Sequence, residues 1–450
     1  CNNIHIGQNT GCRVQSGDNN ITIGCRAGRN LTTGRCSIFI GLYAGGSISD
    51  TSSVLAIGNR AAQNATSGVI AVGCCAAGQF GGGAGGGIFI GRCAGRYANS
   101  SSSSNIIMGS NSGRSLTLGL NVIIGSSGAY YATSACRNIG LGGQVHQQLT
   151  TGDCNLALGT FALAGNTTGC NNVALGDKSG AMNTGASGSC NVTIAVGTGN
   201  SLTTGSDNIF VGRCAGYEVK SSSRNVIIGC GAGRCLRDGG GSNTFIGDQA
   251  GHYMGRCGCA TNTGNTFLGH SAGKNVVNSC HAVAIGYQAA HGVANSKMFA
   301  SHTINIGCRA GCKMEGGNSI INIGRMAGAS NSGGSFNVNI GYQAGYNNLT
   351  GGNNFYGGYL AGFCNKTGGS NIAIGQNAFK CGTSGTTNIF MLNATGCNAN
   401  GHSNIALGYI AFRCNSSGCH NIALGACAMR GCDTPANGTG CCNIMIGKAT

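Results

Sequence analysis

The chain has 450 residues, of which only 8% are charged, and it carries 86 Gly, 28 Cys, one Pro and no Trp. Its 10 Asp plus Glu are too few to suggest paired carboxylates for acid/base catalysis, and its formal charge of +16 lacks the dense basic patches and interleaved aromatics of a nucleic-acid binder. No apolar run approaches the roughly 18 residues that a membrane span requires.

The first element is Ile4, His5 and Ile6, closed by Gly7, and the same shape returns at Ile21 to Gly24 and Ile38 to Gly41. Twenty-six copies related to the pattern Asn-(Ile/Val)-x-(Ile/Val/Leu)-Gly follow one another near every seventeen residues as far as Gly447, with Leu392 the one expected break in the closing glycine. Self-similarity at so short a period marks a solenoid. Each copy is too short for a helix and rich in β-branched residues, so it reads as a strand. The fold class is therefore all-β, a parallel β-solenoid of about 26 coils with no globular domain. Stacked about 4.8 Å apart, such coils make a shaft roughly 125 Å long.

Side chains alternate along a strand, so Ile4 and Ile6, or Ile372 and Ile374, share one face. That face is expected to be the core. The middle residues, among them Phe39, Phe89, Ile107, Phe210, Phe245, Phe267 and Phe390, then point outward and need a cover, either the loops at 78–87 and 253–264 or a neighbouring chain. After each closing glycine comes a signature such as Arg26-Ala27-Gly28 or Gln343-Ala344-Gly345, read as a second short strand that places Ala in a narrow core. A polar Asn, Ser, Thr and Gly stretch completes the coil as a loop.

Asparagine opens 19 of the 26 strands, where its amide can hydrogen-bond to like amides one coil above and below. Asn305, Asn322 and Asn339, seventeen apart, predict a second amide ladder at the middle of three strands. The first strand begins just after Cys1 and the last closes at Gly447. The expected organisation is one continuous solenoid over residues 1–450, uncapped at both ends, whose open coils pair head to tail with the next copy.

Cysteine placement follows the coils. Cys364, Cys381, Cys397, Cys414 and Cys432 are spaced 17, 16, 17 and 18 apart, and Cys136, Cys154, Cys170 and Cys190 form a second candidate column just ahead of the strands. Neighbouring coils lie within disulfide reach, so these are candidate staples between rungs, formed in an oxidising compartment. No Cys-x-x-Cys occurs and the nine His are scattered, so the sequence assigns no metal or other cofactor. Among the Asn-x-Ser/Thr sequons, Asn30, Asn64, Asn99, Asn166, Asn348, Asn365, Asn393, Asn415 and Asn437 fall in the polar loop, where glycans could be attached. Arg26, Arg92, Arg213, Arg309 and Arg325 sit just after strand glycines, a basic stripe that could hold anionic polysaccharide.

The Asn-Ile-Ala-Leu-Gly run at 404–408, repeated at 421–425 and followed by x-x-Ala, resembles the head repeats of trimeric autotransporter adhesins and is similar to repeats of some phage and viral tail fibres. The resemblance implies a left-handed parallel β-roll with three chains side by side and a surface that binds a host ligand. The longer period, the cysteine columns and the loop sequons depart from that family and favour a eukaryotic secreted fibre. The expected function is a non-enzymatic structural subunit of an extracellular filament or surface appendage that associates with itself end to end and laterally. The alternative is a trimeric adhesin or viral tail fibre.

Overall fold

The computed structural model describes residues 2–78, 86–98, 104–180, 183–237, 240–255, 262–293, 298–299, 301–397, 399–414, 416–430 and 440–448. These residues form an all-β parallel solenoid with turns of about 17 residues, and no helix occurs among them. The chain divides into two compact units, Cys1–Ser223 and Arg224–Thr450.

In the first unit thirteen three-residue strands run from Ile4–Ile6 to Ile209–Val211, each paired in parallel with the next along the chain. The second unit repeats this with thirteen strands from Val226–Ile228 to Ile444–Ile446. A small extra pair, Val276–Asn278 with Met298–Phe299, lies outside its main sheet. Register is maintained even where coil length changes, because first, middle and last strand residues always meet their counterparts: Phe245 pairs with Phe267 across a longer coil, Phe390 with Ala406 across a shorter one.

The two strand faces are the reverse of the sequence expectation. Middle residues such as Phe39, Ile107, Phe210 and Phe390 are fully buried, whereas the flanking Ile, Val and Leu residues are half-buried or exposed. The middle apolar stripe is covered because each coil folds back on that side. The interior is closed there by the alanines of the corner, Ala27, Ala44, Ala94, Ala215, Ala250 and Ala344 among them, all with no exposed surface. The corner itself is a left-handed turn, not the expected second strand: Arg26 has φ 58° and Gly28 φ 55°.

The interior is narrow, and the strand middle and the corner six residues later share one space in it. Where the strand supplies Phe39, Phe89 or Phe267, the corner has Gly45, Gly95 or Gly273; a Cβ on these glycines would stand 2.4, 2.2 and 2.4 Å from the ring. Where the strand supplies only Gly140, Ala157, Ala373, Ala406 or Ala423, the corner brings His146, Leu163, Phe379, Phe412 or Met429 instead, each in the left-handed region. Ala56 with Ala62, Ala71 with Ala77 and Ala284 with Ala290 supply only methyl groups, and Ala174 with Gly180 supplies less still. A small cavity opens there, lined by Leu163, Gly180, Thr193 and Leu202. Dense packing is thus kept coil by coil through exchange of volume, as close-packed interiors require.

The strand-closing position is set by backbone proximity. At Gly41, φ is +128° and a Cβ would lie 2.6 Å from the Gly58 carbonyl oxygen of the next coil. Two residues break this requirement. Leu392, the expected exception, has φ 83°, and Ala195, which directly follows the strand Val192–Ile194, has φ 111°. The sequence reading counts Leu392 as the one exception, and Ala195 is a second.

Candidate functional site

Three features of the solenoid surface could carry function: an outward apolar face, lines of cysteine, and loop asparagines. The apolar face follows from the strand pattern. Each three-residue strand turns its first and third residues away from the interior, so the first unit presents two columns that include Leu55 and Ile57, Val122 and Ile124, and Ile139 and Leu141. Ile124 and Leu141 are 39% and 40% exposed. The second unit presents the same two columns, with Ile323 and Ile340 at 38% and 41% exposure. A β-sheet face this consistently aliphatic is unusual for a surface in water.

An asparagine ladder runs along the edge of this face, one residue before the strand. Asn121, Asn138, Asn155, Asn172, Asn191 and Asn208 are buried. The Asn155 amide donates to the Asn138 side-chain oxygen at 3.1 Å and to the Gly169 carbonyl at 2.9 Å, and its backbone N–H donates to the same Asn138 oxygen at 2.9 Å. A similar bond set recurs at Asn371, Asn388, Asn404 and Asn421 in the second unit. Asn305, Asn322 and Asn339 stack at the strand middles, with Asn322 donating to Asn305 and Asn339 to Asn322, each at 2.8 Å. They occupy coils where Thr303 and Ile320 replace the opening asparagine of the first two, so the buried amides change column there.

The described cysteines are thiols in this structure, and one of the two lines read from spacing differs. Cys364, Cys381 and Cys397 are neighbours on successive coils: the Cys381 N–H donates to the Cys397 carbonyl, and the two sulfurs lie 3.9 Å apart. Burial, and then the adjacent Cys381, push the Cys397 thiol up to about 11, and the same two causes raise that of Cys364. Cys414 follows in the next coil, and Cys432 lies outside the described residues.

The second column is corrected. Cys136 donates its N–H to the Asp153 carboxylate at 2.7 Å and Cys170 donates to the Ser189 hydroxyl at 3.0 Å, while Cys154 and Cys190 stand one residue further along. Their spacings of 18, 16 and 20 differ by one residue from the strand spacings of 17, 17 and 19, so the four alternate between two lines. Counting back from each strand finds a pairing that the sequence reading missed. Cys419 and Cys441 both stand three residues before a strand, and the Cys419 N–H lies 3.2 Å from the Cys441 sulfur across a coil lengthened by insertion. Cys75 and Cys93 likewise share a corner position, with burial and then the adjacent Cys74 raising the Cys75 thiol.

Of the sequons, Asn64 is exposed and Asn30 and Asn393 are half-buried. Three are corrected as glycan sites. Asn166, Asn348 and Asn365 occupy the interior position held by Leu31, Leu149 and Leu202 in other coils, and all are at most 1% exposed. Their amides donate to the carbonyls of Gly169, Gly351 and Gly368 at 2.9, 2.9 and 2.7 Å. A sugar on that nitrogen would remove the bond and has no room. Asn99, Asn415 and Asn437 lie outside the described residues.

Two of the corner arginines lie against aromatic rings of the adjacent coil, Arg26 over Tyr43 at 5.1 Å and Arg325 over Tyr342 at 5.7 Å, while Arg309 donates to Gln288 at 2.9 Å. Two of the scattered histidines, His281 and His302, come together with Cys280, their donor atoms all within 4.8 Å of one another. No helix among the described residues is long and apolar enough to cross a membrane. No protein-family model matches the chain, and no curated protein matches it either.

Proposed function

We propose that this chain is a non-enzymatic structural element of an extracellular filament or surface appendage, and that its outward aliphatic face associates laterally with a second copy. One observation carries the reading: the double column of half-exposed, mostly Ile, Val and Leu side chains, interrupted by Thr244, Thr266 and Gly357. In one unit, thirteen strands about 4.8 Å apart and three residues wide give a planar area of roughly 600 Å². That equals or exceeds the largest apolar patches of ordinary monomers, about 300–600 Å². It also approaches the roughly 800 Å² that each partner contributes to a stable interface. The face repeats at the coil spacing, so a second copy of the same chain matches its periodicity.

The cysteine lines support an extracellular setting. A 3.9 Å approach of the Cys381 and Cys397 sulfurs needs only side-chain rotation to reach disulfide geometry. Such staples between coils suit an oxidising environment. Glycans on Asn30, Asn64 and Asn393, and anionic polysaccharide along the arginine corner, belong to the same proposal. End-to-end stacking, like the β-roll repeats of adhesins and tail fibres, remains part of it at the level of resemblance.

Sedimentation velocity and negative-stain microscopy of the oxidised full chain test the reading. Lateral oligomers or bundles are expected, and they should dissociate in the variant Ile124→Lys/Leu141→Lys. A monomer at high concentration, unchanged by these substitutions, would overturn it. A discrete trimer with saturable binding to a host-surface ligand would transfer the proposal to the adhesin class.

A further inference from the structure

We propose that Cys280, His281 and His302 form a binding site for a borderline-to-soft divalent transition-metal ion of the zinc class. The site is built by register. His281 and His302 each stand two residues before a strand, on successive coils whose strands pair Val283 with Ile304. Both have φ 56°, so both rings leave the backbone in the same direction, and they stack with centroids 5.3 Å apart and an interplanar angle of 21°. The His302 N–H donates to the Cys280 carbonyl, which brings the thiol beside the second imidazole although 22 residues separate them in sequence.

One thiol and two imidazoles are the donor types that zinc-class ions prefer. Their donor atoms lie within 4.8 Å of one another. A tetrahedral ion with bonds of about 2.0–2.3 Å holds its donors about 3.5 Å apart. Rotation of two exposed imidazoles closes that difference without moving backbone. Three protein ligands leave a fourth position for water.

A second observation removes stapling as the reason for Cys280, as it does for Cys136 and Cys170 at the same position in other coils. Its line, three residues before the strand, holds Thr263 in the preceding coil and Ser301 in the following one, and the Cys280 N–H reaches the Ser301 hydroxyl at 3.4 Å. No thiol stands on that line one rung away, so stapling does not account for this cysteine. The contrast is Cys419-His420, the same dipeptide in the same register: there Cys441 follows on the line, and His402 meets His420 edge-on at 5.0 Å. At that place the thiol has a sulfur neighbour. At Cys280 it has two imidazoles.

Titration of the reduced full chain with Co²⁺, followed by cobalt–thiolate absorption in the near ultraviolet and by equilibrium dialysis, tests the assignment. Other thiols also bind cobalt, so the readout is the difference between variants. Cys280→Ser should lose one metal equivalent together with its thiolate band. His302→Ala should weaken that equivalent at least tenfold, and Cys12→Ser, an exposed thiol elsewhere, should change neither by comparable amounts. Circular dichroism of each variant checks that the fold is retained. Superimposable titrations of the wild type, Cys280→Ser and His302→Ala would overturn the site. Loss in Cys280→Ser alone, with His302→Ala unchanged, would also overturn it, because the thiol would then bind without the imidazoles.

Discussion

Two stretches of the second unit fill the same interior by different routes. At residues 244–273 both aromatics come from strand middles: Phe245 and Phe267 stack at 5.1 Å, each facing a corner glycine. At residues 355–412 the source alternates, Tyr356 and Phe390 from strands and Phe379 and Phe412 from corners, yet the rings form one column with centroids 6.4, 5.4 and 6.1 Å apart. In these stretches the interior takes one large group per coil and is indifferent to which backbone segment supplies it. The corner route has a conformational cost, because Phe379 and Phe412 sit at φ 53° and 55°, a region that β-carbons disfavour. The strand route needs glycine at the corner.

The sharpest way to break this comparison is to move one ring. Phe379→Gly should destabilise its coil by about 3–5 kcal/mol through the cavity it leaves, and Ala373→Phe alone should cost about 1–3 kcal/mol by overpacking. The double variant Ala373→Phe/Phe379→Gly converts the coil to the strand route. It should recover to within about 1 kcal/mol of the wild type, a strong coupling between two changed neighbours. Hydrogen exchange of the Ile372–Ile374 amides reads this locally, which suits a repeat array whose unfolding need not be two-state. Losses that simply add would contradict shared volume.

His146 is the corner group of a coil whose strand middle is Gly140, and it is fully buried. Its Nε2 donates to the Ile139 carbonyl at 3.2 Å in the neutral ring, and its Nδ1 has no partner. Burial pushes its pKa down to about 4, against the bond to Ile139. The folded state therefore holds fewer protons than the unfolded one between that value and about 6.5. Stability from this coil should be complete above about pH 6.5 and fall by up to about 3 kcal/mol as the pH drops toward 4. Thermal melts from pH 7.5 to 4 should show that loss in the wild type and a flatter profile in His146→Leu, which keeps the volume. Parallel profiles would assign acid sensitivity to other groups.

The smallest expected effect concerns the close of the Phe390 strand. Leu392→Gly should stabilise by about 1 kcal/mol, because φ 83° strains a side chain there and 24 of the 26 strands already close with glycine. Ala195→Gly should act in the same direction by less. A lower melting temperature in either variant would show that the side chain contributes packing that outweighs the strain.

Strand positions, the seventeen-residue period and the asparagine ladders were legible in the sequence because each depends on local pattern repeated in register. The buried face was not. Ile38-Phe39-Ile40 is apolar on both sides, so alternation alone cannot say which side faces inward; the side is set by the corner, where Ala44 and Gly45 leave room for Phe39 and nothing else. Phe379 and Phe412 escaped notice because they replace the glycine of the Ala-Gly signature, which reads as a short strand contributing only alanine to the core. The sequons at Asn166, Asn348 and Asn365 were misread for a related reason: a polar residue amid Thr and Gly looks like loop, but this position is the one where other coils insert leucine. Grouping Cys136, Cys154, Cys170 and Cys190 as lying just ahead of the strands also misaligned them, since they stand three, two, three and two residues before the strand and a one-residue offset changes the line. Cys280, His281 and His302 showed no metal-ligand spacing in sequence, because their proximity is created across coils.

Disulfide trapping reads the register of the coils most directly. Mild oxidation of the full chain, followed by non-reducing peptide mapping, should join Cys381 to Cys397, Cys419 to Cys441 and Cys75 to Cys93, each pair on adjacent coils. Predominant links between cysteines two or more coils apart, with these three pairs absent, would contradict stacking of like positions one rung above another.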